Sequence, residues 1–186
     1  MGRHEEAIAQ ARRARELDPI SVSSNTALGR ILFRARKYND SLTACQKAVA
    51  LDPNDASPLW WMALSHEQKR EFPEALVELE RAVKLSGTGT LSRGLLANAY
   101  ALAGEKEKAL SVLGELKALS KKRYVSPVDM AIVYTGLGDR MSAFSWLEKA
   151  YQEHTMRIQE LSEPIFDSLR SDRRSTHLMR RLNLPE

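Results

Sequence analysis

Residues 73–82 read PEALVELERA. A proline, an acidic residue and then Ala75, Leu79 and Ala82 at helical spacing describe the opening turn and the inner face of a helix. The phrase returns as EEAIAQARRA (5–14), NDSLTACQKA (39–48), EKALSVLGEL (107–116) and MSAFSWLEKA (141–150). The small residue near each start is Ala7, Ser41, Ala75, Ala109 or Ala143, always 34 residues apart. A second series, Ala14, Ala48, Ala82, Leu116 and Ala150, keeps that period, and so does a third, Gly29, Ala63, Ala97 and Ala131. Three phase-locked series exclude coincidence in an alanine-rich chain. A fixed period of this length marks an array of stacked units.

Small residues recur because two helices that cross at short distance admit nothing larger than alanine between them. Large apolar residues keep phase as well: Leu28, Met62, Leu96 and Met130, then Leu32, His66, Tyr100 and Tyr134 four residues later on the same face. Cys45, Leu79, Leu113 and Leu147 supply the matching face of a second helix. Each unit is therefore an antiparallel helix pair. The signals place helices at 4–17, 22–35, 38–51, 56–69, 72–85, 90–103, 105–119, 126–137 and 139–153. Ser126-Pro127-Val128-Asp129 reads as a start in which Ser126 caps and Asp129 completes a capping box.

A 34-residue helix–turn–helix with this spacing resembles the tetratricopeptide repeat over residues 1–153. Pro19 and Pro53 stand where that repeat ends its second helix, and Gly2, Gly104 and Gly138 where it turns between helices. Gly87 and Lys121 depart from the terminal proline, and Leu116 from the small residue, so looser packing is expected there. The resemblance implies an all-α fold, a right-handed α-α superhelix (solenoid) of helix hairpins with a C-terminal capping helix. Its divisions are a partial first repeat at 1–20 (second helix only), four hairpins at 21–153, and an extended segment with a cap at 154–186.

The ends carry their own expectations. Helix 4–17 lacks its first partner, so either the chain is a piece of a longer protein or a second chain supplies the contact, in which case the open N-terminal face makes a homo-oligomer. Beyond Tyr151 the period breaks. HTMRIQELSEP (154–164) reads as an extended crossing segment, and RRSTHLMRRLN (173–183) as a short basic helix closed by Asn183 and Pro185. Phe166, Leu169, Leu178, Met179 and Leu182 offer it one apolar face. YVSPVDMAIVYTGLGD, AFSWLEKAY, FDSLRSD and RRLNLP resemble the closing segment of bacterial multi-domain regulators, which gives an alternative reading as a structural or oligomerising fragment of such a regulator.

Composition bounds the chemistry. The chain has 186 residues, 43% apolar and 28% charged, with 28 Lys and Arg against 24 Asp and Glu. An excess of +4, spread along the chain, does not demand nucleic acid. The basic residues Arg170, Arg173, Arg174, Arg180 and Arg181, partly offset by Asp172 and Glu186, read as a solvated helix face. No apolar run approaches about 18 residues and no signal-peptide core opens the chain, so a cytoplasmic protein is expected. Gly87-Thr88-Gly89-Thr90 lacks the lysine of a phosphate loop. His4, His66, His154 and His177 fall at unrelated phases, with no second ligand at metal spacing, and His66 reads as a packing histidine. Cys45 reads as a buried, inert thiol. No enzyme, cofactor or metal is expected.

In such an array the first helix of each pair lines a concave groove. By the repeat's pattern the groove here holds Arg30, Phe33, Arg34, Trp60, Leu64, Glu67 and Asn98. The implied function is non-enzymatic binding of a peptide or partner segment, with Trp60 as anchor and Arg30 or Arg34 taking an acidic group. Trp60 either does this or fills the gap between units; Trp61 reads as core. A chaperone-tail clamp is disfavoured, since its places hold Thr26, Arg30, Trp61, Leu91 and Leu95, of which Arg30 alone is basic.

Overall fold

The computed structural model describes the backbone of residues 2–184 and the side chains of residues 4–184. Met1 lies outside the described residues, as do Pro185, expected to close the last helix, and Glu186, expected to offset its charge. The described residues are helical between their turns and fall into two compact units, one ending at Gly87 and one starting at Thr88.

The N-terminal unit contains α1 (Gly2–Leu17), α2 (Val22–Arg34), α3 (Tyr38–Leu51), α4 (Ser57–Gln68) and α5 (Phe72–Ser86). Each helix packs on the next, and α2 also lies against α4, so the hairpins pile up in sequence order. Ile8, Ala11, Leu28, Leu32 and Ala44 form one core cluster, and Leu42, Cys45, Leu59, Met62 and Ala82 a second. The small residues are where backbones approach most closely. Ala48, Ala63, Ala75 and Ala82 are fully buried, and a Cβ at Gly29 would lie 2.2 Å from Cys45 Sγ. Ser41, which replaces alanine in its series, donates its hydroxyl to the Gly29 carbonyl at 2.8 Å.

The C-terminal unit contains α6 (Thr90–Leu102), α7 (Lys106–Ser120), α8 (Pro127–Gly136), α9 (Arg140–Gln152), two 3-10 helices (Met156–Ser162 and Pro164–Leu169) and α10 (Arg173–Arg181). Here α6 packs on α7 and α8, and α8 on α9. Whereas α3 runs close along α4, α7 makes few close approaches to α8. Leu116 fills the wider gap: it is fully buried with Val125, Met130 and Val133. The helix limits agree with those read from the sequence to within two residues.

Three local expectations are corrected. Gly2 lies in α1 rather than in a turn. The turns at Gly104 and Gly138 are closed by amide bonds from Glu105 to the Tyr100 carbonyl and from Asp139 to the Tyr134 carbonyl. Ser126 precedes α8, but its side chain makes no cap bond; Asp129 is engaged elsewhere, as described below. The segment expected to be extended at 154–164 is instead coiled into 3-10 turns, because Ile158 and Leu161 both turn inward and are buried.

The C-terminal elements close on α8 and α9. Phe166, Leu169, Leu178 and Met179 are buried, while Leu182 is half-buried. The buried Asp129 on α8 receives the Thr90 hydroxyl from the start of α6 at 2.7 Å and the Arg157 guanidinium from the first 3-10 helix. Arg157 also grips Glu160 with two bonds, at 2.8 and 2.7 Å. Burial works against the charge on Arg157, but these carboxylates hold its pKa above the ordinary value.

Candidate functional site

On α2 the buried residues are Asn25, Leu28, Gly29, Leu32 and Phe33, a helical face read at i, i+3, i+4, i+7 and i+8. Arg30 and Arg34 fall outside that face and are exposed. Phe33 is fully buried, its ring 5.9 Å from that of Tyr38 and 5.7 Å from that of Trp61. It belongs to the aromatic core, not to a groove floor. The sequence reading put Phe33 and Arg34 on one surface, yet neighbours on a helix point about 100° apart.

On α4, Trp60 is half-buried and Leu64 and Glu67 are buried. Trp60 and Trp61 both pack against the cluster of Leu42, Cys45, Leu59, Met62 and Ala82. Of the seven expected groove residues, the N-terminal unit therefore presents Arg30, Arg34 and one part of Trp60 to solvent. Asn98 lies in the C-terminal unit, 1% exposed, at a tight crossing of α6 and α8 where a Cβ on Gly136 would come within 2.6 Å of Asn98 Oδ1.

An acidic cluster surrounds His66. Its Nδ1 lies 2.6 Å from Glu71 Oε2, and its Nε2 faces Glu78 Oε1 at 3.4 Å. Hydrogen bonds from Lys69 and then His66 hold the Glu71 carboxyl below its ordinary range. Burial, with the Glu74 carboxylate adding, pushes Glu78 up to about 8. The two carboxyls that face His66 are thus shifted in opposite directions. Burial likewise pushes the Cys45 thiol up to about 12, with Glu78 adding, so a nucleophilic thiolate is disfavoured. Among the described residues no group of three or more His, Cys, Asp or Glu is placed to hold a metal ion.

The C-terminal arginines are more engaged than a solvated face would be. Arg181 binds Glu148 through both arms, at 2.8 and 2.9 Å, and lies 3.9 Å over the Tyr151 ring. Arg174 lies 4.3 Å over the Phe144 ring. Sequence reading missed these pairings. Their signal is aromatic residues on α9 facing cations some 30 positions later, outside the repeat period.

The comparisons agree with this architecture. Residues 1–56 match the sequence model of the tetratricopeptide repeat. A stretch of 68 residues, 37% of the chain, is 34% identical to small glutamine-rich tetratricopeptide repeat-containing protein 2 of Mycosarcoma maydis, of which the chain spans 19%. Among solved structures, the thermophilic TPR protein TTC0263 of Thermus thermophilus matches with a TM-score of 0.65 at 20% identity, over 90% of this chain and 91% of that one. MamA matches with a TM-score of 0.58 at 22% identity, over 84% and 91%. No described helix is long and apolar enough to cross a membrane. The chain thus has the α-α solenoid fold of tetratricopeptide-repeat proteins, and the repeat's own sequence pattern is matched over residues 1–56.

Proposed function

We propose that this chain is a non-catalytic protein-interaction module that takes a partner segment across the α2–α4 face. Tetratricopeptide repeats in general serve protein–protein interaction. The observation that carries the reading is that α2 and α4 lie side by side, with Arg30 and Arg34 exposed on one and Trp60 half-exposed on the other. An aromatic side chain and guanidinium groups on neighbouring helices match the composition of interface hot spots. Trp60 supplies apolar contact, and Arg30 and Arg34 supply forked donors for carboxylates.

Short random peptides selected on the purified chain test this. Arg30→Glu with Arg34→Glu changes exposed side chains and should leave the fold intact by circular dichroism, yet weaken the selected peptides about tenfold or more. Trp60→Ala should weaken them too, at some cost in stability because part of the ring is core. Affinities indifferent to the charge reversal would remove the α2–α4 face from the account.

A further inference from the structure

A cleft of about 480 Å³ opens between α9 and α10 in the C-terminal unit, within the span of about 300–1,000 Å³ over which proteins hold ligands. Its walls are Met141 and Phe144 of α9 and Leu178 of α10, and Glu148 lines it together with Arg173, Arg174 and His177. Met141 is 72% exposed, a large apolar side chain in water at the mouth of an apolar hollow. The Arg174 guanidinium covers the Phe144 ring, and its Nη1 stands 3.1 Å from Met141 Sδ.

The charges around this mouth do not balance. Asp172 is bound by Arg174 through Nη2 at 2.7 Å and Nε at 3.0 Å. Glu148 is bound by both arms of Arg181, with His177 adding a weaker pull that lowers its carboxyl further. Both nearby carboxylates are therefore satisfied within the chain. Arg173, exposed at the start of α10, has no carboxylate partner among the described residues, and Arg140 acts on Asp172 only at a distance. An apolar hollow with surplus cations on its lip matches an apolar side chain bordered by anions.

We propose that the α9–α10 cleft docks a segment of a partner protein carrying one bulky apolar side chain flanked by carboxylates. The apolar side chain enters between Met141, Phe144 and Leu178, where the pliable thioether adapts to its shape. A flanking carboxylate pairs with Arg173, and a second reaches Arg140. Duplex nucleic acid fits less well, since it needs a row of phosphate contacts rather than cations around a hollow.

The test selects a phage-displayed random peptide library on the full chain carrying Arg30→Glu, Arg34→Glu and Trp60→Ala, which silences the α2–α4 face. Enriched peptides should place Leu, Phe or Trp between Asp or Glu. Each should bind about tenfold more weakly to Arg173→Glu and to Met141→Lys, and more weakly as salt is raised. Both substitutions fall on exposed side chains, so circular dichroism should show the fold retained. The proposal is overturned by no enrichment, by enriched peptides without acidic residues, or by affinities that neither substitution changes. It is overturned equally by duplex DNA or phosphatidylserine vesicles binding with the same dependence on Arg173. Self-association of the chain that Met141→Lys abolishes would assign the cleft to a second copy instead.

Discussion

Arg36 and Arg70 hold φ of 60° and 62° in the turns where the later hairpins place Gly104 and Gly138 at 85° and 73°. All four turns make one bond, from the amide after the left-handed residue to a carbonyl five residues earlier: Lys37 to Leu32, Glu71 to His66, Glu105 to Tyr100 and Asp139 to Tyr134. A side chain in that conformation costs about 1–2 kcal/mol that glycine does not incur. Arg70→Gly should therefore raise stability by about 1 kcal/mol, read as a higher urea midpoint with an unchanged slope. A lower midpoint would mean that the Arg70 side chain contributes more than its backbone strain costs. Glu78 makes a second residue-scale prediction. Its folded pKa of about 8 stands above the ordinary 4.5, so the folded chain keeps a proton that the unfolded chain releases. The stability present below pH 4.5 is then lost as pH rises towards 8. The carboxyls held low, such as Glu71 and Asp139, act in the opposite sense and only at acid pH. Glu78→Gln should thus flatten the fall in melting temperature between pH 5 and pH 8, and an unaltered slope would locate the titration elsewhere.

Between elements, Asp129 joins the start of α6, the first turn of α8 and the first 3-10 helix through Thr90 and Arg157. Removing one partner of a buried ion pair leaves the other desolvated and unmatched. Arg157→Ala should cost about 3 kcal/mol, somewhat eased by the access of water to the arginine, and Asp129→Asn should cost less in the presence of Arg157→Ala than alone. Urea unfolding of the two single variants and the double variant gives the coupling, and additive losses would show that the carboxylate and the guanidinium do not depend on each other. This joint also shows what the sequence could tell. The helix limits were legible because alanine, proline and glycine mark crossings, starts and turns by local chemistry, repeated every 34 residues. Asp129 was legible only as a capping residue, because its true partners lie outside any local window. Residues 154–164 read as extended because Pro164 and the broken period announced an end to regular helix, while the inward turn of Ile158 and Leu161 depends on the surfaces of α9 and α10 against which this segment packs.

Over the whole molecule, stability accumulates from local interfaces between successive helices within each unit rather than from one central core. The same logic decides how much of the candidate site could be read in advance. Arg30 and Arg34 lie four residues apart on one stripe of α2, and their exposure follows from helical spacing alone. Phe33, Leu64, Glu67 and Asn98, read as groove residues, are buried, because a repeat pattern assigns a helix to a surface, whereas burial depends on the rotation of that helix by a single residue. The aromatic rings and cations of α9 and α10 carry no period, and only folding brings them together. Local interfaces have a consequence for unfolding. Leu28, 1% exposed, packs with Ile8, Ala11, Leu32 and Ala44, all within α1, α2 and α3. Leu28→Ala removes about 2–5 kcal/mol of packing, and the loss should stay near those helices. Hydrogen exchange followed by mass spectrometry should show amides of α2 and α3 losing protection by one or more orders of magnitude, while those of α8 and α9 keep theirs. An equal loss of protection in α8 and α9 would mean that the chain opens all at once, and that its interfaces are coupled more strongly than a sum of neighbouring hairpins allows.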